Sequence, residues 1–196
     1  METLPNDLTG YEMYLTLGRA VAPRPVGWIS TTSKTGDDNV APYSFATPIA
    51  VDPPVIVFQA APHEDGTIKD TARNVIETGD FVYNVVTRDL VDAMNESARH
   101  VDEPEFDTAE ITREPATTVA APRVAESPVA LECRLREIVD IEETKVIFGD
   151  VELVSIDDDF LVDGLLDVDR LESELIGHVI DEEYTTLDCF RKPQPQ

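Results

Sequence analysis

The amino-acid sequence predicts a mainly β protein, a closed antiparallel β-barrel with peripheral helices, and three observations carry that expectation. Short β-branched or aromatic runs bounded by Pro, Gly or Asp recur along the chain, which is the composition of strands. Apolar Val129, Leu131, Cys133 and Leu135 alternate with polar Glu132, Arg134 and Arg136, the period-two pattern of a strand with one wet face. The helical stretches do not alternate regularly with the strands, which argues against a doubly wound parallel sheet.

In chain order, the expected strands are Pro25 to Ser33, Val55 to Gln59, Phe81 to Val86, Val129 to Val139 and Lys145 to Ile156. Two helices intervene. The first covers about Asp70 to Thr78, with Ile68, Ala72, Val75 and Ile76 on one face and Gly79 as its stop; the second covers about Asp89 to Arg99. Pro104 to Pro128, rich in Thr, Ala and Pro, reads as a long surface loop, and Asp169 to Ile176 as a short helix.

At 196 residues and 42% apolar composition the chain suits one compact domain, 1–196, with a proper core. No run approaches the roughly 18 apolar residues of a membrane span. The start, Met1-Glu2-Thr3-Leu4-Pro5-Asn6-Asp7, lacks the basic flank and apolar stretch of a secretory signal, so a cytoplasmic protein is expected. Cys133 and Cys189 make no disulfide framework and are expected as reduced thiols.

Asp and Glu number 40 against 15 Lys and Arg, for a net charge of -25 and a pI near 4.2. Such a surface repels itself at low ionic strength, while at 1 M salt the Debye length shrinks to about 3 Å and most of that penalty disappears. A halophilic protein in a salt-rich cytoplasm is the expectation. Nucleic acid is disfavoured as a partner, because a polyanion meets a like-signed surface with no basic stripe.

The stretch from Arg24 to Asn84 concentrates the chemistry. None of the nine glycines is spaced to make G-x-G-x-x-G, and G-x-x-x-x-G-K-[ST] is absent. Any phosphate-bearing ligand must therefore be held by side-chain hydroxyls and strand-end or helix-end amides. Ser30, Thr31, Thr32 and Ser33 supply hydroxyls at a strand end. Lys69 places a charge just before a helix whose first turn offers free N–H groups together with Thr71, Arg73 and Asn74. Each has an ordinary alternative: Ser and Thr are common in strands and turns, Asp70 or Thr71 can cap the helix, and Arg73 can pair with surface acids.

The order of these residues resembles a known family. Tyr14, Ala22-Pro23-Arg24-Pro25-Val26, Ile29-Ser30-Thr31, Asn39-Val40-Ala41-Pro42-Tyr43-Ser44-Phe45, Asp52-Pro53-Pro54, Lys69-Asp70-Thr71-Ala72-Arg73-Asn74 and Phe81-Val82-Tyr83-Asn84 are similar to the flavin reductase-like family of FMN-binding split-barrel proteins, here as an acidic, haloarchaeal-type member. Glu132-Cys133, Phe148-Gly149-Asp150-Val151 and Gly164-Leu165-Leu166 extend the resemblance nearly end to end.

The resemblance implies an antiparallel Greek-key split barrel of six strands, forming a homodimer with one FMN per subunit near the subunit boundary. Ser30, Thr31 and Thr32 would then lie along the phosphate and ribityl chain, with Lys69, Thr71, Arg73 and Asn74 around the phosphate. Asn39 and the strand Ala41-Pro42-Tyr43-Ser44-Phe45 would back the isoalloxazine ring. Arg24 would support the loop under the cofactor. The implied activity is an oxidoreductase of the flavin reductase type: a reduced nicotinamide gives hydride to FMN, which passes electrons to free flavin, a partner oxygenase, a metal chelate or a carrier protein. No side chain is needed as acid or base, because the flavin carries the redox change.

One departure bears on that activity. Many family members carry a histidine five residues before the glycine of Ile147-Phe148-Gly149, near the nicotinamide side of the flavin, and this chain has Thr144 there. An FMN-binding electron carrier without a nicotinamide site, or a split barrel using deazaflavin or haem, are the alternatives. His63, His100 and His178 lack the short spacings of metal ligands, so no metal is expected, and His178 lies in the C-terminal segment that the family folds toward the cofactor or the dimer contact. Trp28 is expected as packing, and Lys145 in a surface ion pair with Glu142 and Glu143. Asp102-Glu103 and Asp158-Asp159 read as solvated surface rather than glycosidase carboxylates.

The charge balance makes a testable prediction. Dialysis into dilute buffer should lower both the melting temperature and flavin occupancy, whereas unchanged melting between about 0.1 and 2 M salt would remove the argument from charge repulsion.

Overall fold

The computed structural model describes residues 2–99 and 103–187. His100, Asp102 and Cys189 lie outside the described residues. The first helix, α1 (Gly10–Ala20), begins with a capping box in which the Thr9 hydroxyl accepts from the Glu12 N–H at 3.2 Å and the Glu12 carboxylate accepts from the Thr9 N–H at 2.8 Å. No helix was expected there.

Four strands follow: β1 (Gly27–Thr32), β2 (Asp38–Tyr43), β3 (Ala46–Val51) and β4 (Pro54–Ala60). Next come α2 (Asp70–Thr78), β5 (Asp80–Val85), α3 (Val91–Glu96) and α4 (Glu105–Thr108), then a two-residue pair, β6 (Arg113–Glu114) with β7 (Arg123–Val124). The long hairpin β8 (Val129–Ile141) and β9 (Thr144–Ile156) is followed by β10 (Leu161–Val162), β11 (Leu165–Leu166), α5 (Val168–Glu174) and a terminal hairpin of β12 (Ile176–Ile180) and β13 (Glu183–Thr186). The expected helix over Asp70 to Thr78 is α2 itself, ended by Gly79 at φ 81°, a left-handed position that glycine adopts without strain. The second expected helix shortens to a 3-10 turn, Arg88–Leu90, followed by α3.

The main sheet is antiparallel, with strand order β2-β1-β5-β8-β9-β4-β3. Its two edges, β2 and β3, are joined through only Ser44 and Phe45, so the sheet must roll until they meet, which makes the barrel. It holds seven strands where the resemblance implied six, because the bend at Ser44-Phe45 divides the expected Ala41 to Phe45 strand from the next one.

The side chains of β1 alternate between two cores. Ile29 joins Phe58, Phe81, Val75 and Ile147 inside the barrel, while Trp28 joins Val40, Val86, Met94 and Phe106 on the other face. Burying each such side chain contributes roughly 1.5–3 kcal/mol. Trp28 is fully buried as packing, with its indole N–H donating to Ser97 Oγ at 2.9 Å. Gly149 on β9 leaves room for the Phe81 ring, since a Cβ there would lie 2.4 Å from it, and the same layer encloses Cys133. Burial, followed by the charges of Asp150, Glu132 and Glu152, pushes that thiol well above the ordinary cysteine range.

The segment from Pro104 to Pro128 corrects an expectation. It is not a loose surface loop: Phe106, Ala121 and Val124 are buried, and the segment covers one barrel face. Glu132, expected on a wet face of β8, is fully buried beneath it. Its carboxylate accepts from the N–H groups of Thr117 and Thr118 at 2.6–3.0 Å and from the Thr118 hydroxyl at 2.7 Å, with Arg123 Nη1 at 3.6 Å. Burial raises the pKa of this acid, but these donors outweigh it and hold the group below the ordinary range. Asp80 and Asn84 add further anchors, accepting from the N–H groups of Ala120 and Val124 at 3.1 and 2.9 Å. Replacing Glu132 by Ala strands the N–H groups of Thr117 and Thr118, while Arg123 keeps Glu114 at 3.2 Å, so stability should fall by about 3 kcal/mol. Urea unfolding checks this, and an unchanged midpoint would refute the anchoring role.

Candidate functional site

The site is built where α2 meets β1 and β2. Lys69 is the N-cap of α2 but its side chain makes no capping bond, and the first intrahelical bond runs from the Arg73 N–H to the Lys69 carbonyl at 3.0 Å. The N–H groups of the first turn are therefore free for a ligand, at the positive end of the helix dipole. Lys69 is half-buried, its ammonium 5.9 Å from the centre of the Tyr43 ring, within cation–π range. Desolvation lowers its pKa, and it forms no ion pair among the described residues.

Beneath this helix start lies a buried polar network. Thr31 Oγ1 accepts from Asn74 Nδ2 at 3.1 Å and from Asn39 Nδ2 at 3.3 Å, and Asn39 Nδ2 also reaches Thr71 Oγ1 at 2.9 Å. All four residues are buried. One acceptor position has no partner in this network, Asn74 Oδ1, while the Tyr43 hydroxyl lies against that of Thr71. Burial pushes the Tyr43 phenol up to about 12, so it remains a neutral O–H donor at physiological pH. Unpaired buried polar atoms are uncommon in native folds and cost stability unless a ligand or water meets them.

Two adjoining hollows flank the α2 start. One, of about 150 Å3, is lined by Ala41, Pro42, Tyr43, Lys69, Thr71 and Ser97 among others; the second, of about 430 Å3, by Ser33, Lys34, Arg73 and Asn74. Asn39, Asp70 and Glu105 border both. Asn39, Ala41, Pro42, Tyr43, Lys69 and Thr71 thus line the first hollow, and Asn39, Arg73 and Asn74 the second. Arg73 is also paired with Asp70 at 2.6 Å, which offsets the one carboxylate of the first helical turn.

The other expected residues fall elsewhere. Ser30 points to the opposite face of β1 from Thr31, where its hydroxyl donates to the Pro122 carbonyl and accepts from Asn84 Nδ2 at 3.0 Å. Thr32 donates to Asp38 Oδ1 at 2.7 Å. Ser44 and Phe45 form the bend after β2, with Phe45 exposed and the Arg24 guanidinium 5.2 Å from its ring centre. Thr144 pairs with Ile141 where the β8–β9 hairpin turns, and lines neither hollow. Lys145 pairs with Asp140 at 2.8 Å, not with the glutamates beside it in sequence. Arg24 is buried; it donates through Nη1 to the Gly18 carbonyl and through Nη2 to His178 Nδ1, the latter at 2.8 Å. Ser97, Ala98, His63 and Glu105 line the cleft without having been expected, and no local motif announces them.

A free helix start, a half-buried lysine with no ion pair among the described residues and the Thr71 hydroxyl gather donors beside Ala41, Pro42 and the Tyr43 ring, while Asp37, Asp38, Glu77, Glu103 and Glu105 border the outer part of the hollows. The barrel places the molecule in the split-barrel class. It superimposes on the nitrilotriacetate monooxygenase component B of Bacillus cereus with a TM-score of 0.90, at 27% identity over 98% of both chains. The Pseudomonas fluorescens 2-nitrobenzoate 2-nitroreductase gives 0.88 at 26% identity, covering 100% of this chain and 96% of that one. A protein of uncharacterised function from Halalkalibacterium halodurans is 36% identical over 188 residues, 91% of this chain and 90% of its own. The flavin reductase like domain matches residues 18–171, and the chain belongs to that family. It is accordingly an oxidoreductase that works with a flavin cofactor.

His178 has its own consequence. Its Nδ1 accepts from Arg24 and its Nε2–H donates to the Asp181 carbonyl at 2.9 Å, so the ring is held neutral, facing Arg24, Asp181 and Tyr184. Burial, then the Arg24 charge, lowers its pKa below the ordinary 6.5, despite the opposing carbonyl bond and Asp181 charge. The unfolded chain therefore takes up a proton first as pH falls. The stability linked to this group is fully present above pH 6.5 and is lost progressively below it, down to the folded value. Melting curves between pH 7.5 and 5 should fall more steeply for the natural protein than for His178→Gln; parallel profiles would refute the linkage.

Proposed function

We propose that the cleft binds FMN and that the protein is a flavin reductase-type oxidoreductase driven by NADH or NADPH. The observation that carries this reading is the uncapped start of α2 beside half-buried Lys69, above the buried network of Thr31, Asn39, Thr71 and Asn74. Lys69, Thr71 and the first-turn N–H groups would hold the phosphate, with Thr31 and Asn39 fixing the helix in place. Ala41, Pro42 and Tyr43 would wall the ring, and main-chain groups around Ser44 would face its polar edge, where N–H donors favour negative charge. When bound, FMN supplies the redox chemistry, taking hydride from the nicotinamide and passing electrons to free flavin, a partner oxygenase or a carrier protein. The side chains bind, orient and exclude water; none needs to move a proton.

Among the described residues no helix is long and apolar enough to cross a membrane. We also propose a cytoplasmic, salt-adapted homodimer. Exposed Ile49 and Val51 on edge strand β3 support the dimer as an apolar surface suited to cover by a second subunit. Thr144, in place of the expected histidine, favours a second reading, an FMN electron carrier that takes no hydride from nicotinamide.

One set of measurements separates these readings. The purified protein should show the absorption of oxidised flavin rather than that of deazaflavin or haem. FMN titration should give binding about tenfold or more weaker for Lys69→Ala and Thr71→Ala, the effect of losing a charge-assisted or buried hydrogen bond. Unaltered affinity in both would overturn the site. Anaerobic NADH or NADPH should bleach the bound flavin within seconds, and a spectrum that stays oxidised selects the carrier.

A further inference from the structure

We infer that the protein has a second ligand site, an apolar cavity under the C-terminal segment that takes a small carboxylate with an aromatic or branched aliphatic body. The cavity encloses about 480 Å3 and is walled by Val26, Tyr83, Val86, Leu131, Leu171 and Ile176, among others, with Arg24 as the charged group in its lining. That volume lies in the range of small-molecule sites, roughly 300–1,000 Å3. It shares no lining residue with the two hollows at α2.

The charge on Arg24 decides the ligand class. Arg24 is 6% exposed, and its neighbours are neutral: Nη1 donates to the carbonyls of Gly18 and Val21, Nη2 to neutral His178, and its positive charge stacks against Phe45. Nε is buried without a partner. No carboxylate forms an ion pair with Arg24 among the described residues, although the chain carries 40 acidic side chains. Carbonyls satisfy donors but do not neutralise a charge, and a buried cation with no counter-ion is costly. A monoanion held in the cavity beside Arg24 supplies the missing counter-charge, and the apolar walls require the rest of the ligand to be hydrocarbon. With a net charge of -25, the outer surface repels such an anion everywhere else.

The test uses flavin-loaded protein and 1-naphthoate, with 1-naphthalenemethanol as the neutral counterpart, by calorimetry at about 0.15 and 1 M salt, because a buried pair is screened much less than an exposed one. The acid should bind about tenfold or more tightly than the alcohol, and Arg24→Met should remove that difference. Arg24 also holds the end of α1, so a second variant leaves it in place: Leu175→Trp, which fills the cavity, should abolish binding of both compounds. Flavin occupancy should stay constant in Leu175→Trp, whose side chain lines neither hollow at α2. Equal affinity for acid and alcohol, undiminished binding in Leu175→Trp, or release of flavin by naphthoate would each overturn the assignment. So would absence of binding in a protein that sediments as a dimer, which would assign the cavity to a second copy of the chain.

Discussion

The seating of α2 on the barrel wall is the constraint on which the rest of the site depends. A helix start offers an anion little unless it is fixed in place, since a shift of about 1 Å removes the advantage of pre-set donors. Here it is fixed twice. Ala72 and Val75 are packed into the barrel core, and Asn74 and Thr71 are tied through Thr31 and Asn39 to β1 and β2. The apolar contacts set the distance of the helix from the sheet, and the amide bonds set its rotation. This division replaces the glycine-rich loop that the chain lacks.

A second constraint is that β1 serves two cores at once. Its alternate side chains bind the barrel interior on one face and, on the other, Trp28 and Ser30, with Asn84 of β5, engage α3 and the segment after α4. That covering segment has little regular structure of its own. Buried Glu132, Asp80 and Asn84 organise it by accepting its N–H groups, and so perform with side chains what a neighbouring strand would do with its backbone.

The barrel and α2 were legible in the sequence, because a period-two pattern and a glycine stop are local signals, and the residues named through the family resemblance line the two hollows at the α2 start. What was not legible depends on partners distant along the chain. Ser30, Thr31 and Thr32 cannot all face one ligand from a single strand, and strand periodicity alone would have separated Thr31 from the other two. The Thr9-x-x-Glu12 capping box was a visible sign of α1 that the weak apolar pattern of the helix obscured. Glu132 looked like a solvated residue because polarity was read as exposure; only the fold shows that the chain from Thr117 to Thr118 returns to meet it. Ser97 and Ala98 reach the cleft from the end of α3, with no nearby residue in the sequence to announce them.

The enclosure of Cys133 bears on durability. Oxidation needs a thiolate and access, and this sulfur has neither: it is fully buried among Phe81, Gly149 and neighbouring strands, and its pKa is driven upward. Peroxide, which a reduced flavin yields when it meets dioxygen, is the oxidant such a sulfur would face. A sulfur sealed in the barrel is out of its reach, and Cys133 stays a packing residue.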